Sequence, residues 1–189
     1  ARNLIPTMLL VRTHERCRVR NLKAQYMELK KDLRKKYRKR RLSISVQEKE
    51  EKDQKIFSFL KEMNWDTVHV LHSFLPIPTL KEPDTLRFIR WIWKERPIND
   101  WNISEVREGE KVAPDAIDAV LVPMLVCDRQ GQRVGYGKGF YDRFLAECRK
   151  DVLKIGISYF DPILRIEDTE TTDIPVDLCI TPEKIWRFE

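Results

Sequence analysis

The sequence predicts an α/β domain built on a mostly parallel sheet. Three observations carry that prediction. Apolar runs of strand length alternate with stretches of helical period. The run at residues 119–126 is almost continuously apolar, as in a strand covered on both faces. A glycine-rich stretch, Arg133-Val134-Gly135-Tyr136-Gly137-Lys138-Gly139-Phe140-Tyr141-Asp142, follows that run and leads into a helix. In parallel sheets, ligands sit beyond the carboxyl ends of strands.

The first 26 residues mix basic and apolar side chains without a period, and Pro6 interrupts their start. They read as a poorly ordered or non-native extension. Their arginine content also allows a transit peptide, although hydroxyl residues are few. Residues 27–189 read as one domain. Residues 28–41 are helical, because Leu29, Leu33 and Tyr37 recur every four positions among many cations. Those cations are either a solvated face or a reach toward an anionic ligand. Ser45-Val46-Gln47-Glu48 is a capping box. It opens a second helix whose buried face is Ile56, Phe57, Leu60 and Met63.

Residues 68–75 read as a strand that Pro76 and Pro78 end. After a loop over 76–83, Asp84 caps a third helix over 85–94, with Leu86, Ile89 and Trp93 on one face. Trp91 and Trp93 are core or a stacking surface, and core is the better reading. Residues 95–112 are polar and without period. Pro123 implies a bulge or a strand end within the long apolar run. Residues 128–131 form a turn, 140–148 a helix, 152–159 a strand, 161–171 a loop and 178–181 a last short strand.

Composition bounds the function. The chain has 189 residues, enough for one domain with a proper core. No apolar run approaches the roughly 20 residues that span a bilayer. The apolar piece at residues 7–11 is too short for a secretory signal core. A cytoplasmic location is therefore expected, with no membrane partner; a monomer is the default expectation. Cys17, Cys127, Cys148 and Cys179 are far apart in sequence, so buried free thiols are a better reading than a zinc knuckle or redox pair. His14, His69 and His72 lack metal-ligand spacing.

The net charge is +6, but residues 1–41 hold fifteen Lys/Arg against three Asp/Glu. The remainder is net acidic. This asymmetry raises nucleic-acid or anionic-ligand binding. A nucleic-acid module ranks low, because the aromatics are not interleaved with the cations.

The glycine stretch holds three of the chain's six glycines at alternate positions. Glycine lets backbone N–H groups approach a ligand closely. The next helix presents more free N–H groups and a partial positive charge. Lys138 adds a full charge, and Asp142 suits a metal. This is the layout of a phosphate-cradling loop. A glycine-rich hairpin turn is the alternative.

Val122-Pro123, the turn at Asp128, the stretch Arg133-x-Gly-Tyr-Gly-Lys-Gly-Phe-Tyr-Asp-Arg-Phe-Leu and the closing Asp173-Ile-Pro-Val-Asp together resemble the 5-formyltetrahydrofolate cyclo-ligase family. Lys-Lys-Asp-Leu-Arg-Lys at 30–35, Leu-Ser-Ile-Ser at 42–45, Phe74-Leu75 and Glu82-Pro83-Asp84-Thr85 extend the resemblance over residues 27–186. It implies a three-layer αβα sandwich of the CoA-transferase-like kind. It also implies a Mg-ATP-dependent conversion of 5-formyltetrahydrofolate to 5,10-methenyltetrahydrofolate, with ADP and phosphate released. The formyl oxygen would be phosphorylated, the 10-nitrogen would attack the activated carbon, and phosphate would leave. Such chemistry asks the protein mainly for charge neutralisation and alignment.

By resemblance, Lys30, Arg34 and Arg133 contact ATP, and the stretch from Gly135 through Tyr136, Gly137, Lys138, Gly139, Phe140 and Tyr141 to Asp142 encloses it. Lys138, Arg133 and Tyr141 are the catalytic candidates. Asp142 and Asp173 hold Mg2+. Leu75 and Glu82, with Tyr136 to Phe140, line the folate pocket. Asp142 as a mere helix-end carboxylate and Glu82 as a surface residue remain alternatives. The family's middle section is shortened here by roughly 25 residues, about one strand and its connections. Trp93-Lys-Glu-Arg-Pro97 passes almost at once to Trp101-Asn-Ile-Ser-Glu105. That loss would remove central strand(s) and leave a sheet edge unpaired. With the unusual start, it points to an imperfect gene model or to a degenerate copy that binds nucleotide or folate without turnover.

Overall fold

The structure, a computed structural model, describes residues 27–95 and 112–188. The expectations for residues 1–26 and for the junction at 96–111 lie outside the described residues.

The described chain opens with β1 (Met27–Glu28) and α1 (Lys30–Ser43). Leu33 and Tyr37 form the buried stripe of α1, and Arg41, only 2% exposed, extends it by one turn. Leu29 does not belong to that stripe. It is the N-cap, its backbone is extended, and it is 44% exposed. α2 (Val46–Glu62) starts where the Ser45 hydroxyl accepts the Glu48 N–H at 3.0 Å. Ile56 and Leu60 are buried, while Phe57 and Met63 are half-buried.

β2 (Leu71–His72) is the paired part of the strand predicted over 68–75, and a 3-10 turn, Pro78–Leu80, follows it. Asp84 Oδ1 accepts the Leu86 N–H at 3.1 Å and so caps α3 (Thr85–Glu95). The buried face of α3 differs from the prediction by one position. Thr85, Phe88 and Ile92 face the core, and Trp93 is 41% exposed. The apolar arc of this helix is wide, opposite Arg87, Arg90 and Lys94, so its period allows two phases. Phe88 decides between them by packing on Trp65, with ring centroids 5.1 Å apart, and on Trp91 at 5.8 Å. Trp91 therefore joins the core margin and Trp93 does not.

The central sheet has the order β2-β3-β6-β8-β9, with β3 at Ala119–Pro123, β6 at Leu153–Ile157, β8 at Leu178–Ile180 and β9 at Ile185–Arg187. All neighbours are parallel except β8 and β9. β9 lies beyond the last strand that the sequence predicts. Alternate residues of β3 serve opposite faces. Ala119 and Leu121 pack with Ile56, Leu60, Phe88 and Ile92 of α2 and α3. Val120 and Val122 pack with Leu145 of α4 (Phe140–Glu147). Helices on both faces make the predicted αβα layering. Among the described residues, β2 ends the sheet without an outer neighbour.

β3 stops at Pro123, which has no N–H to donate. The chain then bends into β4 (Val126–Cys127), which pairs antiparallel with β5 (Arg133–Val134) in a separate ribbon. The apolar run at 119–126 is thus two strands in two sheets. The Asp128 carboxylate holds the ribbon's turn by accepting the N–H groups of Gln130, Gln132 and Ile166 at 2.9, 3.0 and 3.0 Å. β7 (Arg165–Ile166) pairs parallel with β1 in what reads as a loop. Leu33, Tyr37, Leu125, Val126, Val134 and Ile166 form a second core. This core docks α1 on the ribbon that launches the glycine stretch. Among the described residues no helix is long and apolar enough to cross a membrane.

Candidate active site

The glycine stretch is the connection from β5 to α4. Gly137 (φ 85) and Gly139 (φ 61) are in the left-handed region that favours glycine. Gly139 is the N-cap of α4 and gives it no side-chain cap. A Cβ on Gly137 would lie 3.0 Å from Arg34 Nε, so the loop rests on the Arg34 side chain. Gly135 has open space where a Cβ would be. Lys138 is exposed, and its carbonyl accepts from Arg143 at 3.0 Å.

Beneath the loop lie paired charges. Arg133 donates through Nη2 to Asp142 Oδ1 at 2.7 Å, and its side chain is 7% exposed. Asp142 also accepts the Ile174 N–H at 3.2 Å, which ties α4 to the residue after Asp173. Asp173 accepts from Lys30 Nζ and from the Glu170 N–H. Burial pushes the Asp173 carboxyl up, but the Glu170 N–H, Lys30 and Arg133 outweigh it and hold the group below the ordinary range. Burial lowers the Arg133 guanidinium from its usual value, against the pull of Asp142 and Asp173. Lys30 is thus brought to Asp173 and Arg133 to Asp142, and Arg34 meets the loop at Gly137.

The chemistry of this set fits a phosphate with a divalent cation. Arg34 Nε and Arg133 Nη1 are buried and have no hydrogen-bond partner among the described residues. Such orphan donors suit an incoming anion. No group of three or more potential metal-ligating side chains occurs among the described residues. Two carboxylates completed by phosphate oxygens and water are what Mg2+ usually takes, rather than an all-protein cage.

Glu82 is 3% exposed, which rules out the surface alternative. Its Oε2 accepts the Ile77 N–H at 2.7 Å, and its Oε1 accepts from the Tyr136 hydroxyl. Tyr136 in turn accepts from Arg41 Nη2 at 2.6 Å. Burial first, and the Glu82 bond second, push the Tyr136 phenol up to about 12. Tyr141 is also raised, by burial and then by the Glu82 charge. Leu75 and Phe140 are 67% and 61% exposed, open apolar surface of the kind a ring can cover. Sequence reasoning missed Arg41. Arg41 continues the four-residue spacing of Leu33 and Tyr37, which is a legible signal. His72 packs on Phe144 and Tyr141, with ring centroids at 4.6 and 6.0 Å, and no sequence pattern announces it.

A cavity of about 480 Å³ lies elsewhere, lined by Tyr37, Arg40, Lys52, Tyr159, Phe160 and Glu183 among others. No residue of the glycine stretch lines it.

Fold and site define an α/β protein with a glycine-rich loop set beside two ion-paired carboxylates. A family model described as 5-formyltetrahydrofolate cyclo-ligase family matches residues 72–182. The chain belongs to the 5-formyltetrahydrofolate cyclo-ligase family.

The 5-formyltetrahydrofolate cyclo-ligase of Mycoplasma pneumoniae is 30% identical over 140 residues, which cover 69% of this chain and 85% of that protein. A probable 5-formyltetrahydrofolate cyclo-ligase of Schizosaccharomyces pombe is 34% identical over 48% of this chain. The match spans 51% of that relative, and 40% of the Escherichia coli enzyme. Among solved structures, the 5,10-methenyltetrahydrofolate synthetase of Aquifex aeolicus superposes with a TM-score of 0.69 at 28% identity. That superposition covers 86% of this chain and 94% of the other.

Proposed function

We propose that the protein is an ATP- and Mg2+-dependent cyclo-ligase that converts 5-formyltetrahydrofolate to 5,10-methenyltetrahydrofolate, releasing ADP and phosphate. The observation that carries this reading is the meeting of Lys30, Arg34, Arg133, Asp142 and Asp173 under the glycine stretch. Lys30, Arg34 and Arg133 bind the phosphates of ATP. Asp142 and Asp173 hold Mg2+, which would neutralise charge on those phosphates. Lys138 neutralises the group being transferred, and the N–H groups of Gly139 and the start of α4 align it. Glu82 accepts hydrogen bonds from the pterin. Leu75, Tyr136, Phe140 and Tyr141 form its apolar walls and exclude water. The three described cysteines are free, which suits a reducing compartment such as the cytoplasm.

The full chain, mixed with 5-formyltetrahydrofolate and Mg-ATP, is expected to produce the absorbance of the methenyl product. Omitting ATP or Mg2+ should abolish that signal. A folded chain that binds ATP yet forms no product would overturn the reading.

A further inference from the structure

Most cations of α1 are exposed, but Arg41 is 2% exposed. Burying a guanidinium is costly unless it is paired. Among the described residues Arg41 has no carboxylate partner. It donates to the Tyr136 hydroxyl at 2.6 Å and lies over that ring, 5.5 Å from the centroid. Its Nε is buried without a partner there. A tyrosine hydroxyl has one proton, so a hydroxyl that accepts from Arg41 has that proton free for Glu82. Glu82 uses its other oxygen to hold the Ile77 N–H.

We propose that Arg41 is a positioning residue for the folate side of the site: it fixes Tyr136 so that its hydroxyl donates to Glu82. This rests on the cyclo-ligase reading. The chain Arg41–Tyr136–Glu82–Ile77 pins the segment that carries Leu75 and Glu82 to the glycine stretch. Arg41 lies seven residues from Arg34, two helical turns or about 10 Å along the same face. One face of α1 therefore carries the phosphate contacts at one end and the folate-side contact at the other. The helix sets the spacing between the two substrates.

The test compares Arg41→Met, Arg41→Lys, Tyr136→Phe and the double variant Arg41→Met/Tyr136→Phe. Each Met or Phe variant is expected to raise KM for 5-formyltetrahydrofolate about tenfold, and by more than it raises KM for ATP. Arg41→Lys, which keeps a charged donor, should recover part of the loss. The double variant should be no worse than the poorer single one, because both break one chain. Additive losses, or a wild-type folate KM in Tyr136→Phe, would overturn the proposal. Tyr136→Phe keeps the test open if Arg41→Met fails to fold.

Hydrogen exchange supplies a readout that does not need turnover. Amides 135–139 should exchange faster in Tyr136→Phe while those of β3 and β6 stay unchanged. If the wild type makes no methenyl product, the cyclo-ligase reading fails and exchange alone decides: unchanged rates at 135–139 overturn the positioning role.

Discussion

Gly135 and Gly137 are two residues apart and differ in what a methyl group would meet. At Gly137 the left-handed backbone is unfavourable for any other residue by about 1–2 kcal/mol. The added Cβ would also press on Arg34 Nε at 3.0 Å. At Gly135 there is space and no left-handed φ. Gly137→Ala is therefore expected to raise KM for ATP about tenfold or more, while Gly135→Ala stays within a few-fold. Equal losses in steady-state kinetics would remove the steric account. Lys138 is exposed, so its removal should leave the thermal midpoint almost unchanged. Lys138→Ala should nevertheless lower kcat by about two to three orders of magnitude, the scale of a lost transition-state contact. Near-normal turnover would take Lys138 out of the phosphate cradle. At this scale much of the site was legible. Glycines at alternate positions stand out by pattern, while Asp173 entered only by family resemblance, and the structure brings Asp142 and Asp173 to one cluster. Arg41 sits on the four-residue spacing of Leu33 and Tyr37, but α1 is crowded with cations, and burial is what sets this one apart.

The element that joins site to core is α1. Leu33 is fully buried between Tyr37 and the ribbon residues Leu125, Val126 and Val134. Leu33→Ala would leave a cavity there and destabilise the chain by about 2–5 kcal/mol. The same helix carries Lys30 and Arg34, so its loosening should weaken ATP binding as well. Calorimetric titration with ADP and thermal unfolding check both effects. A lower melting temperature with unchanged ADP affinity would show that α1 does not need this packing to present its cations. Helix existence was readable from periodicity, yet phase was not always so. In α1 the apolar positions are few and the stripe was clear from Leu33 onward. In α3 tryptophan, isoleucine, leucine and phenylalanine cover a wide arc opposite Arg87, Arg90 and Lys94, and the partner Trp65 selects which part of the arc is buried.

Across the whole molecule, what escaped the sequence is pairing between distant short strands. β7, with two residues, and β9, with three, carry too few positions for any period to show, and their partners β1 and β8 set them. β2 is equally short, and its place at the sheet edge gives His72 a consequence for global stability. The imidazole packs on Phe144 and Tyr141, and its Nδ1 is buried without a partner among the described residues. Burial therefore lowers its pKa below the ordinary 6.5. Between the folded value and about 6.5 the unfolded chain binds more protons at this residue than the native one. Stability from this group is full above that window, falls as pH drops through it, and levels off below the folded value. The depressed carboxylates Asp118 and Asp173 act only at lower pH, below about 5, where unfolded chains begin to protonate them. The two windows are separate, so urea midpoints at pH 8 and pH 5 isolate the histidine. The wild type should lose stability between those values, and His72→Phe, which keeps a ring against Phe144, should lose less. An equal loss in both proteins would assign the acid sensitivity to another group.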